Sequence, residues 1–430
     1  MLRRLDLRGQ GPVTAADLPR PASQVEPPID EVRAVIDEVR RRGDDALREF
    51  TLKFDGVEID DLHVSAEAVR QAPERIDAAL AGALRVAATN IRAYHEAQMH
   101  DGAEFVDRGL RVRELRRPVD RAGCYVPSAL APLMSTVLMT VIPAKVAGVP
   151  EVVLVTAPGP GGAVDEAILA AAAIAGADEV IRVGGPAAVA ALALGTESIG
   201  AVDVIVGPGS ARVAQAKREV AGSGLVGVPS AFAGPSEVVV VADADAVIAD
   251  VAIDVVLQAE HGPDGLAWLV TWDEGVADRV STEVSRIVAA SPRREYLEAT
   301  LGEGGFAAVC DDAEQAMSVV NAIAPEHLEL QVADPDALLP LVRHAGAVFC
   351  GPYAPASVGD YVAGPNHVLP TAGSARFSGA LRVDDFCKHI HVVDLDREAL
   401  DRLTPHVGAI ADAEGLPAHA QSVRQRQDRP

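Results

Sequence analysis

The sequence predicts an α/β fold of two doubly wound, Rossmann-like domains with additional helical segments at the N- and C-termini. Three observations carry this. Short valine- and isoleucine-rich runs at 152–156, 180–183 and 204–206 are each followed by glycines and then an alanine-rich stretch of helical period. A second set, at 238–241, 268–270, 307–309 and 348–349, alternates with helical tracts at about 246–260, 276–289 and 313–322. Finally, apolar residues make up 49% of the 430-residue chain but aromatics only 3%, so the core is aliphatic, as buried parallel strands require.

Around these units the chain reads as follows. The start, MLRRLDLRGQ, meets charge every few residues and develops no apolar signal-like core, so a cytoplasmic protein is expected. The run IDEVRAVIDEVRRRGDDALREF, within 28–54, returns apolar residues at helical spacing, and a second helical tract spans about 65–97 with Gly82 inside it. Next, AEFV and LRVREL flank Asp107, Arg108 and Gly109, the pattern of a hairpin. The tail from 396 to 430 is helical again and strongly charged. The expected partition is an N-terminal segment 1–26, a first α/β domain of 27–127 plus 237–381, a second α/β domain of 128–236, and a C-terminal helical segment 382–430.

Charge and cysteine usage exclude several function classes. Against 62 Asp and Glu stand 38 Lys and Arg, a formal net charge of −24 that repels nucleic-acid backbones and anionic membrane surfaces. The most apolar stretch, 130–149, contains Pro132, Pro143 and Lys145 and does not read as a membrane span. Cys124, Cys310, Cys350 and Cys387 are scattered, without the spacing of a disulfide framework or a zinc knuckle.

Polar residues stand out against this apolar background in four places. In LQAEHGPDG, Gln258 and His261 sit three apart near a helix end, where they either point at one ion or cap the last carbonyls. APEHLELQV sets Glu326 beside His327, and SVGDYVAGPNHVLPT gathers Asp360 and His367 among glycines and prolines. AEGLPAHAQ puts Glu414 and His419 on the helical tail, where a solvated polar face is the simpler reading. The loops APGPGG, GGP and GPGS follow strands, where phosphates dock on helix N-termini; GPGSAR lacks the third glycine of a dinucleotide fingerprint, and tight strand-to-helix turns explain the loops equally well.

Taken in order, these segments resemble the histidinol dehydrogenase family over nearly the whole chain. YVP with APLMSTVLM, IPAKVAGV, GTESI, VDVIVGPG, AGPSE, QAEHGPD and NHVLPT carry the likeness with the four stretches above. The resemblance implies oxidation of L-histidinol to L-histidine through a bound aldehyde with two NAD, by a homodimer holding one Zn²⁺ per subunit. It implies zinc ligands Gln258, His261, Asp360 and His419, the last from the partner subunit. His327 matches the general base and Glu326 the residue that activates water. Ser236, His367 and Glu414 match further substrate contacts, Glu414 also from the partner, and the ligands and His327 touch substrate too. Tyr125, Ala187 and Ser210 match the cofactor side, where this chain has Ala187 in place of a usual Gln and Ser210 in place of a usual Asn. Two alternatives stay open: an NAD-linked dehydrogenase of another small polar alcohol, such as a sulfonated diol, and a zinc-binding protein without redox turnover.

Overall fold

The computed structural model describes residues 1–19, 28–127, 131–230, 234, 236–261 and 265–427, without the side chain of His261. Residues 128–130 between YVP and APLMSTVLM, and parts of the AGPSE and QAEHGPD stretches, therefore lie outside the described residues. In chain order the strands are β1 (Arg3–Asp6), β2 (Glu104–Asp107), β3 (Leu110–Pro118), β4 (Arg121–Tyr125), β5 (Glu151–Thr156), β6 (Glu179–Arg182) and β7 (Val204–Val206). They continue with β8 (Glu237–Ala242), β9 (Leu266–Thr271), β10 (Gly305–Val309), β11 (His327–Gln331), β12 (Ala347–Cys350) and β13 (Cys387–Leu395).

Two parallel sheets form the body of the molecule, ordered β6-β5-β4-β7 and β1-β10-β9-β8-β11-β12. Each is apolar on both faces, because successive strand residues point to opposite sides and helices cover both. In the smaller sheet Val152, Leu154 and Val180 pack with helices Met134–Ala147 and Glu166–Ala175, while Val153, Val155 and Ile181 pack with Gly185–Leu194 and Ile29–Arg42. The larger sheet divides likewise, Val239, Val241 and Trp268 facing one layer and Val238, Val240 and Leu269 the other. The α/β class with two parallel sheets and helices toward both ends is thus the architecture expected from the sequence.

Several features depart from expectation. The helical run 28–54 is two helices, Ile29–Arg42 and Asp44–Asp55, broken at Gly43. Gly43 has φ 53°, and a Cβ there would strike the Glu197 carboxylate, which accepts the Asp44 N–H at 2.8 Å. The tract 65–97 breaks at Asp77, whose carboxylate accepts from Ala79 and Leu80 N–H and starts helix Ala78–Glu96. The hairpin forms with Arg108 and Gly109 both at positive φ, but β3 also pairs antiparallel with β13 along nine residues, giving a third sheet, β13-β3-β2. The C-terminal segment therefore carries a 3-10 turn, Val383–Phe386, and a strand before the helices Arg397–Ala413 and Pro417–Gln427. Near the N-terminus, β1 completes one edge of the larger sheet. Within 27–127, β4 is an inner strand of the smaller sheet, and the stripe Val32, Ile36 and Val39 is buried against that sheet's helices, the cover an amphipathic helix needs.

Candidate active site

The polar cluster forms at the amino-terminal edge of the larger sheet, where the chain enters β8 and β11. His327 opens β11 and is 3% exposed, with the Phe349 ring of β12 stacked 6.0 Å away. Its Nε2 lies 2.9 Å from Asp360 Oδ1, and its Nδ1 lies 3.2 Å from the Glu237 carbonyl and 3.6 Å from Glu326 Oε2. A ring whose two nitrogens both face acceptors is held as imidazolium. Burial works against that charge and is the largest single influence, yet the hydrogen bonds and charges of Asp360 and Glu326 together push the His327 pKa up to about 10.

Each partner is placed by its own element. Glu326 Oε2 accepts the N–H of Glu237, at the start of β8, at 3.0 Å. Ser236, one residue earlier, accepts the Leu266 N–H on its carbonyl at 3.0 Å and so sits on the same edge. Gln258 ends helix Ile248–Leu257 and opens the 3-10 turn Gln258–His261; it is 1% exposed, and its Nε2 donates to Asp360 Oδ2 at 3.4 Å. Asp360 rides on the short helix Ala356–Tyr361, which lies close over Phe349 because residue 359 is glycine: a Cβ there would come within 2.7 Å of the ring's Cζ. His367 donates from Nδ1 to the Asp360 carbonyl at 2.8 Å, while its Nε2 is 3.2 Å from Thr136 Oγ1 on the helix that follows β4. That bridge ties the amino edge of the larger sheet to the carboxyl edge of the smaller one. Burial holds the His367 pKa below the ordinary imidazole value.

Behind the cluster lies a polar layer that the sequence reading did not single out. Glu329 and Gln331 share a face of β11 with His327, and Asp254 lies one helical turn before Gln258; all three are buried. Burial, and then the neighbouring Glu329 carboxyl, push the Asp254 pKa up to about 8, so the pair retains a proton at neutral pH. The spacings 327/329 and 254/258 were available as signals.

The predicted site residues thus fall into three groups. Gln258, Glu326, His327, Asp360 and His367 converge, with Ser236 on the same edge. His261 belongs to the same turn as Gln258 by its backbone. Glu414, in the turn between the two C-terminal helices, and His419, on the second, are exposed, and their described hydrogen bonds stay within that segment. Among the described residues no three His, Cys, Asp or Glu side chains of this one chain converge as a metal cluster.

Tyr125, Ala187 and Ser210, expected from the sequence on the cofactor side, gather at the carboxyl edge of the smaller sheet. A cavity of about 530 Å³ there is lined by Val183, Gly184, Gly185, Ala187 and Ser210, with Val32, Phe50 and Phe54 from the first two helices opposite. Tyr125, at the end of β4, accepts the Gly185 N–H on its hydroxyl at 3.2 Å. Ser210 caps helix Ala211–Gly222, its Oγ accepting from Val213 N–H at 3.5 Å.

Two parallel sheets, a buried histidine between carboxylates where they meet, and a glycine-rimmed cavity at the edge of one of them define an α/β enzyme with the groups for acid–base chemistry. The histidinol dehydrogenase family profile matches residues 18–427. Histidinol dehydrogenase of a Synechococcus species is 47% identical over 390 residues, covering 90% of this chain and 89% of that protein. The Pseudomonas putida histidinol dehydrogenase is 47% identical over 389 residues, covering 90% and 87%. The crystal structure of histidinol dehydrogenase from Elizabethkingia anophelis superposes with a TM-score of 0.94 at 32% identity, covering 99% of this chain and 98% of that one. The chain belongs to the histidinol dehydrogenase family, and is an oxidoreductase. No described helix is long and apolar enough to cross a membrane.

Proposed function

We propose that this protein is a zinc-dependent, NAD-linked histidinol dehydrogenase that oxidises L-histidinol to L-histidine through a bound aldehyde in two hydride transfers. The observation that carries the reading is the convergence of Gln258, Glu326, His327 and Asp360 from three separate segments of the chain on one buried point.

The residues suit the metal. An amide oxygen, an imidazole nitrogen and a carboxylate oxygen are donors that zinc accepts, and two carboxylates facing a single imidazole leave negative charge for a cation to balance. Gln258, His261 and Asp360 would hold it with His419 of the partner subunit. The cavity beside Tyr125, Ala187 and Ser210 offers backbone N–H groups and a helix N-terminus to a dinucleotide. When bound, zinc orients the substrate and the dinucleotide accepts hydride.

His327 removes the proton from the substrate alcohol and later from the hydrated aldehyde. With Asp360 engaged in holding a cation, the charge that keeps the imidazole protonated is largely neutralised, and His327 is released as a base near neutral pH. Glu326, fixed by the Glu237 N–H, activates the water that attacks the aldehyde. Ser236, His367 and Glu414 of the partner subunit hold the substrate. A dimer is supported by the apolar residues Ile390, Val393, Leu395, Ile410 and Leu416, all exposed on β13 and the C-terminal helices.

The test is nicotinamide reduction by the zinc-loaded protein given L-histidinol and NAD, with products counted. Two reduced cofactors and one histidine per histidinol support the reading; no reduction in a sample holding zinc overturns it.

A further inference from the structure

We propose that the buried carboxyl pair Asp254–Glu329 is a positioning device for this site, binding the elements that carry Gln258, His327 and Asp360 into one unit through Gln331 and the Ala356 N–H; this rests on reading the His327 cluster as the active site. The geometry runs outward from Glu329. Its Oε1 accepts the Ala356 N–H at 2.9 Å, the first residue of the helix that presents Asp360. Its Oε2 lies 3.3 Å from Gln331 Nε2, which also donates to Asp254 Oδ2 at 3.2 Å. Asp254 in turn stands four residues before Gln258 on the same side of its helix. One carboxylate thus caps the Asp360 helix, shares a strand face with His327 and, through Gln331 and Asp254, reaches the helix leading to Gln258.

The side chains are removed from water, Asp254 at 4% exposure, Glu329 at 0% and Gln331 at 6%. Two ionised carboxylates so placed would repel, and Asp250 on the same helix adds to the negative field. A single proton between them turns repulsion into a hydrogen bond. None of these residues belongs to the cluster that faces the substrate, so their effect passes through the three side chains they hold. Such supporting contacts are worth about 10- to 100-fold in comparable sites.

Glu329→Leu, Glu329→Gln, Asp254→Asn and Gln331→Met are to be compared with the wild type. The measurements are thermal midpoint, kcat and KM with L-histidinol and NAD, and amide hydrogen exchange across residues 356–361. Glu329→Leu is expected to lower kcat about 10- to 100-fold, with a smaller change in KM, and to speed exchange in the helix that carries Asp360. Glu329→Gln, which keeps an acceptor for Ala356 and a hydrogen bond to Asp254, is expected to restore most of both. Asp254→Asn is expected to stay close to wild type. If leucine at 329 prevents folding, Gln331→Met, which removes only the bridging amide, is expected to move both the same way. A folded Glu329→Leu or Gln331→Met protein with unchanged kcat or unchanged exchange overturns the proposal, as does a Glu329→Gln protein as impaired as Glu329→Leu. Absence of turnover in the wild type would overturn the functional reading instead, and the exchange arm would still decide this one.

Discussion

His327 Nε2 and Asp360 Oδ1 lie 2.9 Å apart, joining the first residue of β11 to a helix that follows β12. The same carboxylate that keeps His327 protonated is the one proposed to hold a cation, so the two roles compete. In the metal-free protein the carboxylate serves the imidazolium, and with metal bound it serves the metal.

This competition gives a pH dependence of stability. His327 is raised from 6.5 to about 10 in the folded metal-free chain, so the folded state keeps a proton that the unfolded chain releases. That stabilisation is fully present below about pH 6.5 and is lost as pH rises through about 10. Asp254, raised from 3.8 to about 8, acts in the same direction over a lower window. The thermal midpoint of metal-free protein is therefore expected to fall between pH 8 and 10, and His327→Asn to flatten that fall. A midpoint that rises over this interval would contradict the assignment.

Replacing the base separates catalysis from metal binding. His327→Asn is expected to lower turnover by about 10²- to 10⁴-fold, the usual contribution of a positioned acid–base group. Zinc content, measured by elemental analysis, is expected to stay at the wild-type level, because the proposed ligands Gln258 and Asp360 remain. Metal lost along with activity would show that His327 is a ligand.

The βαβ rhythm was legible because several inner strands of the two sheets are short aliphatic runs followed by apolar helices, as at 152–156 or 238–241. What escaped is instructive. β11 reads HLELQ, with charged and polar residues at alternate positions, the signature of a half-solvated strand. Yet every residue in it is buried, because Glu329 and Gln331 are paired beneath the site. The third sheet joins β3 to a strand more than half the length of the chain away, and local periodicity carries no trace of such a pairing. The convergence of Gln258, His327 and Asp360 likewise depends on tertiary structure; the family resemblance pointed to those residues, whereas spacing alone left them as isolated polar groups.

Gly359 is expected to be intolerant of a side chain. A methyl group there meets the Phe349 ring, which itself stacks on His327, so Gly359→Ala must displace either the ring or the Asp360 helix. Overpacking of this kind costs about 1–3 kcal/mol. The expected result is a lower thermal midpoint together with a lower kcat, and Phe349→Leu in the same chain is expected to recover part of both by making room. An alanine variant with unchanged midpoint and kcat would show that the helix is free to shift.

Subunit exchange tests the proposed partner ligand. Glu414 and His419 are exposed in the C-terminal segment of this chain, and their described hydrogen bonds stay within that segment. His261→Ala and His419→Ala proteins are each expected to be nearly inactive. Mixed dimers are expected to regain activity, since one of their two shared sites then carries both histidines. No recovery in verified heterodimers would place His419 outside the site.

The cofactor side offers a change expected to improve the protein. Ser210 caps helix Ala211–Gly222 through a 3.5 Å contact to the Val213 N–H and also lines the cavity of about 530 Å³ that holds Ala187 and Gly185. Asparagine caps a helix as well as serine does, so Ser210→Asn keeps the helix start while adding an amide donor on the cavity side. One further hydrogen bond to a dinucleotide contributes about 0.5–1.5 kcal/mol, a lowering of the NAD dissociation constant of about two- to tenfold. Ala187→Gln, in the lining of the same cavity, is expected to act in the same direction. Both are read by titrating NAD into the protein without substrate. Tighter binding in both variants, with an unchanged thermal midpoint in the absence of NAD, assigns the cavity to the dinucleotide, whereas unaltered binding in both moves the cofactor elsewhere on the smaller sheet.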